Sequence, residues 1–267
     1  MNFNEAFHHI EEVIAESKGD SDRFAEKLRR ERIPHISFSQ VTTIEFCSYR
    51  YYLQYIKMQD PRPIPDYFTK GKLLHQLLGE FYEHNRNGKS SVPPSHEREI
   101  SKQFSGDNYF HLLNAYRVHQ QNSWHSCELI SVEHPFVMRV DGSLPPMVGV
   151  IDLILKQDGC YLLVDHKTGR NFYPDDELQV AIYAQYIRKA FGGESCRLFY
   201  DHYRWVNNLD RIRKPAFQRV EVTANHNHWP RYLARVKTAY EEIRALLAGV
   251  PAVRSGECFR CPYRNMC

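Results

Sequence analysis

Residues 149–169 read GVIDLILKQDGCYLLVDHKTG, and this stretch limits what the chain can fold into more than any other. Two nearly continuous apolar runs flank Asp158-Gly159, a dipeptide that strongly signals a two-residue β-hairpin turn. Apolar runs with so little polar alternation belong to strands buried on both faces. The hairpin is therefore expected inside a sheet that other elements cover. With a tight turn, pairing runs outward symmetrically from residues 158 and 159. Asp152 then faces Asp165 and Val150 faces Lys167, with opposed β-carbons about 5 Å apart.

Two carboxylates at that separation repel unless a cation lies between them. Hard oxygen ligands suit Mg²⁺ or Mn²⁺. Asp165 and Lys167 are two apart on one strand and share a face; His166 points the other way, which leaves its backbone carbonyl as a further ligand. A lysine beside a metal can position or deprotonate water and stabilise charge on a phosphate. These residues point to metal-assisted phosphodiester hydrolysis. The plainer alternative is a pair of surface acids at the ends of an ordinary hairpin. It fits the apolar flanks poorly, because an unpartnered buried carboxylate is costly.

Phe3, Phe7, Ile10 and Ile14 predict a helix over 3–17, ended at Gly19 and followed by a short helix to about Arg32. Ser39 reads as the N-cap of a helix carrying Ile44, Cys47, Tyr51 and Tyr55. Pro61, Pro63 and Pro65 break the chain before a helix over 69–84. Residues 86–108, rich in Ser, Pro, Asn and Gly, read as a loop, and 109–122 as a helix. From Cys127 the period changes to two, giving strands over 130–140, 148–155 and 161–167. A helix over 174–190, opened by Asp175 or Asp176 and closed by Gly192-Gly193, leads to strands over 195–206 and 219–223. A last helix spans 229–248, stopped by Gly249 and Pro251. This order predicts an α/β core of mixed sheet flanked by helices. Lys70-Gly71-Lys72 lacks the upstream glycine and the spacing of a phosphate loop, so no motor is expected.

The chain has 267 residues and a net charge of +3, long enough for a sizeable core but too weakly basic to announce a nucleic-acid partner by charge alone. Local clusters, Arg211 with Arg213 and Lys214 or Arg50 with Lys57, are the possible basic surfaces. No apolar run approaches the ~20 residues that cross a membrane, and the acidic, amphipathic start lacks the features of a signal peptide. The expectation is a cytoplasmic protein with no membrane partner. Seven cysteines argue there against a disulfide framework. Cys258, Cys261 and Cys267 need a fourth ligand to close a tetrahedral site, and Cys47 is the candidate. Zinc and an iron–sulfur cluster both suit four cysteines. Cys127, Cys160 and Cys196 read as small buried hydrophobes in strands.

Five motifs fall in order: Gly71-Lys72-Leu73-Leu74-His75, Glu133, Gly149-Val150-Ile151-Asp152, Asp165-His166-Lys167 and Gln179-Val180-Ala181-Ile182-Tyr183. Any one is weak. Together they resemble the PD-(D/E)xK nuclease superfamily, in its RecB-type branch, which includes the RecB and AddB nuclease domains and the CRISPR-associated iron–sulfur exonucleases. The resemblance runs from about Ser37 to Cys267. It leaves 1–34 as a helical extension and makes 35–267 the nuclease domain, with the cysteine cluster in 255–267.

It implies a restriction-endonuclease-like core in which His75 joins Asp152, Asp165 and the His166 carbonyl as metal ligands. Glu133 is an acidic site residue on the preceding strand, and Lys167 acts on the water or the phosphate. Gln179 and Tyr183, which share a helical face with Tyr186, touch the active site or the DNA backbone. The branch's pattern of one early and three late cysteines implies a 4Fe–4S cluster on Cys47, Cys258, Cys261 and Cys267, stapling N- and C-terminal parts. The implied activity is Mg²⁺- or Mn²⁺-dependent hydrolysis of DNA phosphodiesters by metal-activated water. It would be an exonuclease on single strands or DNA ends, with other nuclease, helicase or recombination proteins as partners in repair or CRISPR adaptation. Two rivals are a structure-selective endonuclease and a non-cutting DNA-binding adaptor; intact Asp152, Asp165 and Lys167 count against the adaptor.

Overall fold

The computed structural model describes residues 1–85, 95–172, 176–192, 196–222, 228–256 and 258–267. In chain order the elements are α1 (Phe3–Ser17), α2 (Ser21–Glu31), β1 (Ile36–Ser37), α3 (Phe38–Phe46), α4 (Ser48–Tyr51) running into a π-helical turn (Tyr52–Ile56), and α5 (Asp66–His84). They continue with α6 (Ser95–Gln103), α7 (Gly106–Asn122), β2 (Glu128–Met138), β3 (Met147–Gln157), β4 (Cys160–Gly169) and α8 (Glu177–Ala190). Then come β5 (Cys196–Arg204), β6 (Phe217–Val222), α9 (Trp229–Leu247) and two 3₁₀ turns, Cys258–Arg260 and Arg264–Met266. Hydrogen-bonded strands follow the order β1-β3-β4-β5-β6, with β2 on β3. Among the described residues no helix is long and apolar enough to cross a membrane.

The chain divides into two compact units, each made of separate segments: 1–65, 135–150 and 225–267 form the first, 66–134 and 151–224 the second. In the first unit α1 begins with a capping box. The Asn2 side chain accepts from the Glu5 N–H while the Glu5 carboxylate accepts from the Asn2 N–H. Ala6, Ile10 and Val13 bury one face of α1 among Phe24, Leu28, Ile33 and Val148. The N-cap of α3 is Ser37, two residues earlier than expected, because Ser37 with Gln40 makes the reciprocal cap. The expected single helix through Tyr55 is broken at Cys47, whose backbone is extended (φ −168°, ψ 115°). That turns the Cys47 sulfur back to accept from the Arg50 N–H at 3.4 Å, so the cysteine caps α4 where it was expected to sit mid-helix. Gly149 is required: a β-carbon there would lie 2.6 Å from a ring carbon of Phe136.

In the second unit the hairpin pairs Leu153 with Val164 and Gln157 with Cys160. Asp158 (φ +51°) and Gly159 (φ +77°) both adopt the left-handed conformation of a twist-matched two-residue turn. β4 and β5 are parallel and β5 and β6 antiparallel; the helix α8 makes the crossover that a parallel pair needs. Asp176 is the N-cap of α8, while Asp175 and Gly193 lie outside the described residues. So does the 86–94 part of the expected loop; its remainder holds α6 and the start of α7. Only His96 and Ile100 bury α6, too thin an apolar signal to stand out from polar flanks. Cys127, Cys160 and Cys196 are partly, not fully, buried, since they sit at or beside strand starts rather than in strand centres. The core packs Leu73, Leu74, Leu77 and Leu78 of α5 with Leu153, Leu155, Leu162 and Val164 of the hairpin and Leu112 and Tyr116 of α7.

Candidate functional site

The buried hairpin delivers Asp152 and Asp165 from adjacent strands, just past the Leu153–Val164 pair of the ladder. Asp152 Oδ2 accepts from the His166 backbone N–H at 2.7 Å, which locks the carboxylate across the two strands. α5 brings His75 to the same place. Its Nδ1 lies 3.5 Å from Asp152 Oδ2 and 3.8 Å from Glu133 Oε1. Ligand atoms of His75, Glu133 and Asp152 all lie within 4.8 Å of one another. Their side chains keep 29%, 26% and 12% exposure, so the cluster is walled by protein and still open on one side. Glu133 sits mid-strand at φ +46°, a left-handed conformation that a residue with a β-carbon adopts only under constraint.

Asp165 is tied to the helix α8. Its Oδ1 accepts from Gln179 Nε2 at 2.6 Å and from the Tyr183 hydroxyl at 3.3 Å. Gln179 Oε1 in turn accepts from Lys167 Nζ at 2.8 Å. Spacing of four puts Gln179 and Tyr183 on one helical face, and their side chains are themselves bonded at 2.8 Å. Tyr186, on the same face, instead meets His134 Nε2 at 2.9 Å. Lys167 Nζ also lies 2.6 Å from Asp165 Oδ2, but off the line a hydrogen bond needs, so that buried oxygen has no hydrogen-bond partner. Lys167 rests over the Tyr200 ring, 5.1 Å from its centre.

Burial, reinforced by the charge of Asp165, pushes the Asp152 carboxyl well above the usual carboxylate range. Burial also lowers His75, keeping its imidazole neutral and ready to ligate. The same burial holds Tyr183 well up, as a protonated donor to Asp165. His166 is lowered well below its usual value, by burial first and then by His119 and His75; His119 itself is lowered by burial to about 3.

Two crowded carboxylates, a third acid and a neutral imidazole fit a divalent cation, since hard oxygens and imidazole together suit Mg²⁺-like and Mn²⁺-like ions. Glu133, expected on the acid strand, stands in the same cluster as His75 and Asp152. The His166 backbone is among the groups that act on the His75 imidazole. Tyr200 and His134 were not singled out from sequence; residues of these types inside a strand give no signal distinguishing a site wall from core.

The thiols of Cys47, Cys258 and Cys261 all bear electrostatically on Cys267. Cys261 and Cys267 lie in an apolar cluster with Leu53, Tyr263, Phe46 and Tyr49. Arg211, Arg213 and Lys214 are exposed, whereas Arg50 and Lys57 pack over the rings of Phe46 and Tyr52.

No curated protein sequence matches the chain. In structure it is similar to a candidate exonuclease from Eubacterium rectale, at 12% identity over 89% of this chain and 90% of that one, with a TM-score of 0.57; this likeness bears on the fold alone. A second structure, of SSO0001, is 15% identical over 73% of this chain and 84% of that one, with a TM-score of 0.35, too low to argue from. The model of the PD-(D/E)XK nuclease superfamily matches residues 35–267, the stretch that carries all five motifs, and its restriction-endonuclease-like core accounts for the mixed sheet flanked by helices. The chain belongs to the PD-(D/E)XK nuclease superfamily.

Proposed function

We propose that this nuclease hydrolyses DNA phosphodiesters with Mg²⁺ or Mn²⁺, held by His75, Glu133 and Asp152 together with Asp165 and the His166 carbonyl. The observation that carries the reading is the convergence of ligand atoms of His75, Glu133 and Asp152 within 4.8 Å, with Asp165 near enough for its charge to act on the Asp152 carboxyl. When bound, the ion polarises the phosphate and makes water a better nucleophile at neutral pH.

The chain's own residues do the rest. Gln179 and Tyr183 hold one oxygen of Asp165, and the other is ion-paired with Lys167. Gln179 also holds Lys167 by its ammonium, fixing a positive charge where it orients the water and stabilises charge developing on the phosphate. His166 fixes the direction of Asp152 through its backbone N–H. An exonuclease acting on single strands or DNA ends, of the RecB type, is the finer reading. It rests on the motif resemblance and on the similar fold of the Eubacterium rectale protein.

A 4Fe–4S cluster on Cys47, Cys258, Cys261 and Cys267 belongs to the same reading. Its support is the motif resemblance, the electrostatic influence of Cys47, Cys258 and Cys261 on Cys267, and the Arg50 N–H aimed at the Cys47 sulfur. Its role is structural.

Purified protein should cut end-labelled single-stranded DNA with Mn²⁺ or Mg²⁺ and stop on addition of EDTA. Short end products are expected from an exonuclease and an internal ladder from an endonuclease. No cleavage of any DNA form with either ion would leave a non-cutting adaptor as the better account.

A further inference from the structure

Lys70 lies in the second turn of the motif helix α5, and its surroundings are unusual for a lysine. The residue is only 5% exposed. Its ammonium lies 3.0 Å from Nδ1 of His111 on α7 and 5.0 Å from the centre of the Trp205 ring. Among the described residues these are its close partners. Asp66 and Asp107 act on it only at longer range, and Arg170 adds further positive charge. Asp66 is itself engaged by the Asn108 amide at 3.1 Å. A buried ammonium facing a neutral imidazole and an aromatic ring, with an arginine nearby and no carboxylate in bonding range, is short of an anion.

The position says which anion. Gly71, the next residue, approaches the Thr168 side chain so closely that an added β-carbon would stand 3.4 Å from its hydroxyl. The Trp205 N–H donates to the Gly169 carbonyl at 2.7 Å. Thr168 and Gly169 directly follow Lys167 on β4, and two residues along a strand span about 7 Å. The cluster thus stands at the end of the strand that carries the catalytic lysine, on the scale of the step from one nucleotide to the next.

We propose that Lys70, set by His111 and Trp205 and aided by Arg170, binds a backbone phosphate of the substrate strand next to the one that is cut. This rests on the nuclease reading above and adds a substrate-positioning residue to it. His111 accepts from the ammonium and fixes its direction; the phosphate oxygens complete its hydrogen bonds.

The test is binding of single-stranded DNA by the full-length protein in EDTA, which keeps it separate from cleavage. Lys70→Met retains the stem and removes the charge. Its affinity should fall about threefold to tenfold, and its salt slope should be shallower by about 0.7, the value for one lost phosphate contact on a single strand. Lys70→Arg should restore the slope. On the wild type, neutral methylphosphonates placed at each phosphate in turn should weaken binding at one position adjacent to the cut. That position should lose its effect in Lys70→Met, since two changes to one contact are not additive. If Lys70→Met misfolds, the methylphosphonate scan of the wild type and of Lys70→Arg still decides. Equal salt slopes with only a lowered melting temperature, or a scan with no sensitive neighbouring phosphate, would overturn the proposal and leave the nuclease reading standing. Wild-type protein that neither binds nor cuts DNA would overturn both.

Discussion

Glu133 shows how much a single residue is made to give at this site. Its φ of +46° falls inside a strand, and strain of that kind costs on the order of 1–3 kcal/mol. It is retained where the carboxylate joins His75 and Asp152. Ordinarily glycine weakens a strand relative to alanine. Here the order should invert, with metal-free Glu133→Gly more stable than Glu133→Ala by about 1 kcal/mol, while both lose Mn²⁺ affinity alike. Thermal melts in EDTA and a Mn²⁺ titration measure this; a more stable alanine variant would mean the strain is absent. Asp152 offers a second reading at the same scale. Its folded-state carboxyl is raised by burial and by Asp165, so the neutral form is favoured in the metal-free protein. The stability this contributes is present below the unfolded-state carboxylate pKa and lost as pH rises through the higher folded-state value. Asp152→Asn should flatten that part of the metal-free stability profile, and an unchanged profile would contradict the assignment.

At the scale of elements, the hairpin was the most legible part of the sequence because three signals agree in it: Asp158-Gly159 sets the turn and the register, the apolar runs set burial, and the acids mark the site. The observed pairing of Leu153 with Val164 is the one the turn dictates. The Gln179–Tyr183 face was legible by its spacing, and the structure aims it at Asp165. Other features had no local signal. The break at Cys47 depends on contacts with a distant segment, where the Tyr49 N–H and Ser48 hydroxyl both donate to the Val253 carbonyl. The bend at Glu133 and the anion-poor setting of Lys70 likewise depend on neighbours remote in sequence. Gly149 reads as part of a motif, yet its neighbour explains it physically: Phe136 is 1% exposed and cannot move aside. Gly149→Ala should cost about 1–3 kcal/mol by overpacking, lowering the melting temperature by several degrees. Adding Phe136→Leu should recover most of the loss, and an unaltered melt for Gly149→Ala would show that the contact is slack.

At the scale of the molecule, each unit is assembled from segments far apart in sequence, so each needs ties between remote residues. In the first unit Arg235 and Glu45 form a two-bond ion pair, the Tyr263 hydroxyl donates to the Gln59 carbonyl at 3.0 Å, and the four cysteines come from both ends of the chain. A cluster bound there would contribute to folding, because ligands gathered from distant positions couple binding to the fold. Protein purified without oxygen should be brown, with about four irons per chain, and Cys47→Ser should lose iron and melt at a lower temperature. Stoichiometric zinc with no iron after anaerobic reconstitution would replace the cluster with a zinc site. In the second unit all the proposed catalytic groups, His75, Glu133, Asp152, Asp165, Lys167, Gln179 and Tyr183, fall within its two segments. The most direct test of the central claim compares wild type with Lys167→Ala, measuring DNA cleavage with Mn²⁺, DNA affinity and metal content on the same preparations. Affinity should change by no more than a factor of a few, since binding is spread over many phosphate contacts, and metal content should hold. Cleavage should fall by about 10²–10⁴; a Lys167→Ala protein that cuts at the wild-type rate would show that the Asp152–Asp165–Lys167 hairpin is not the catalytic site.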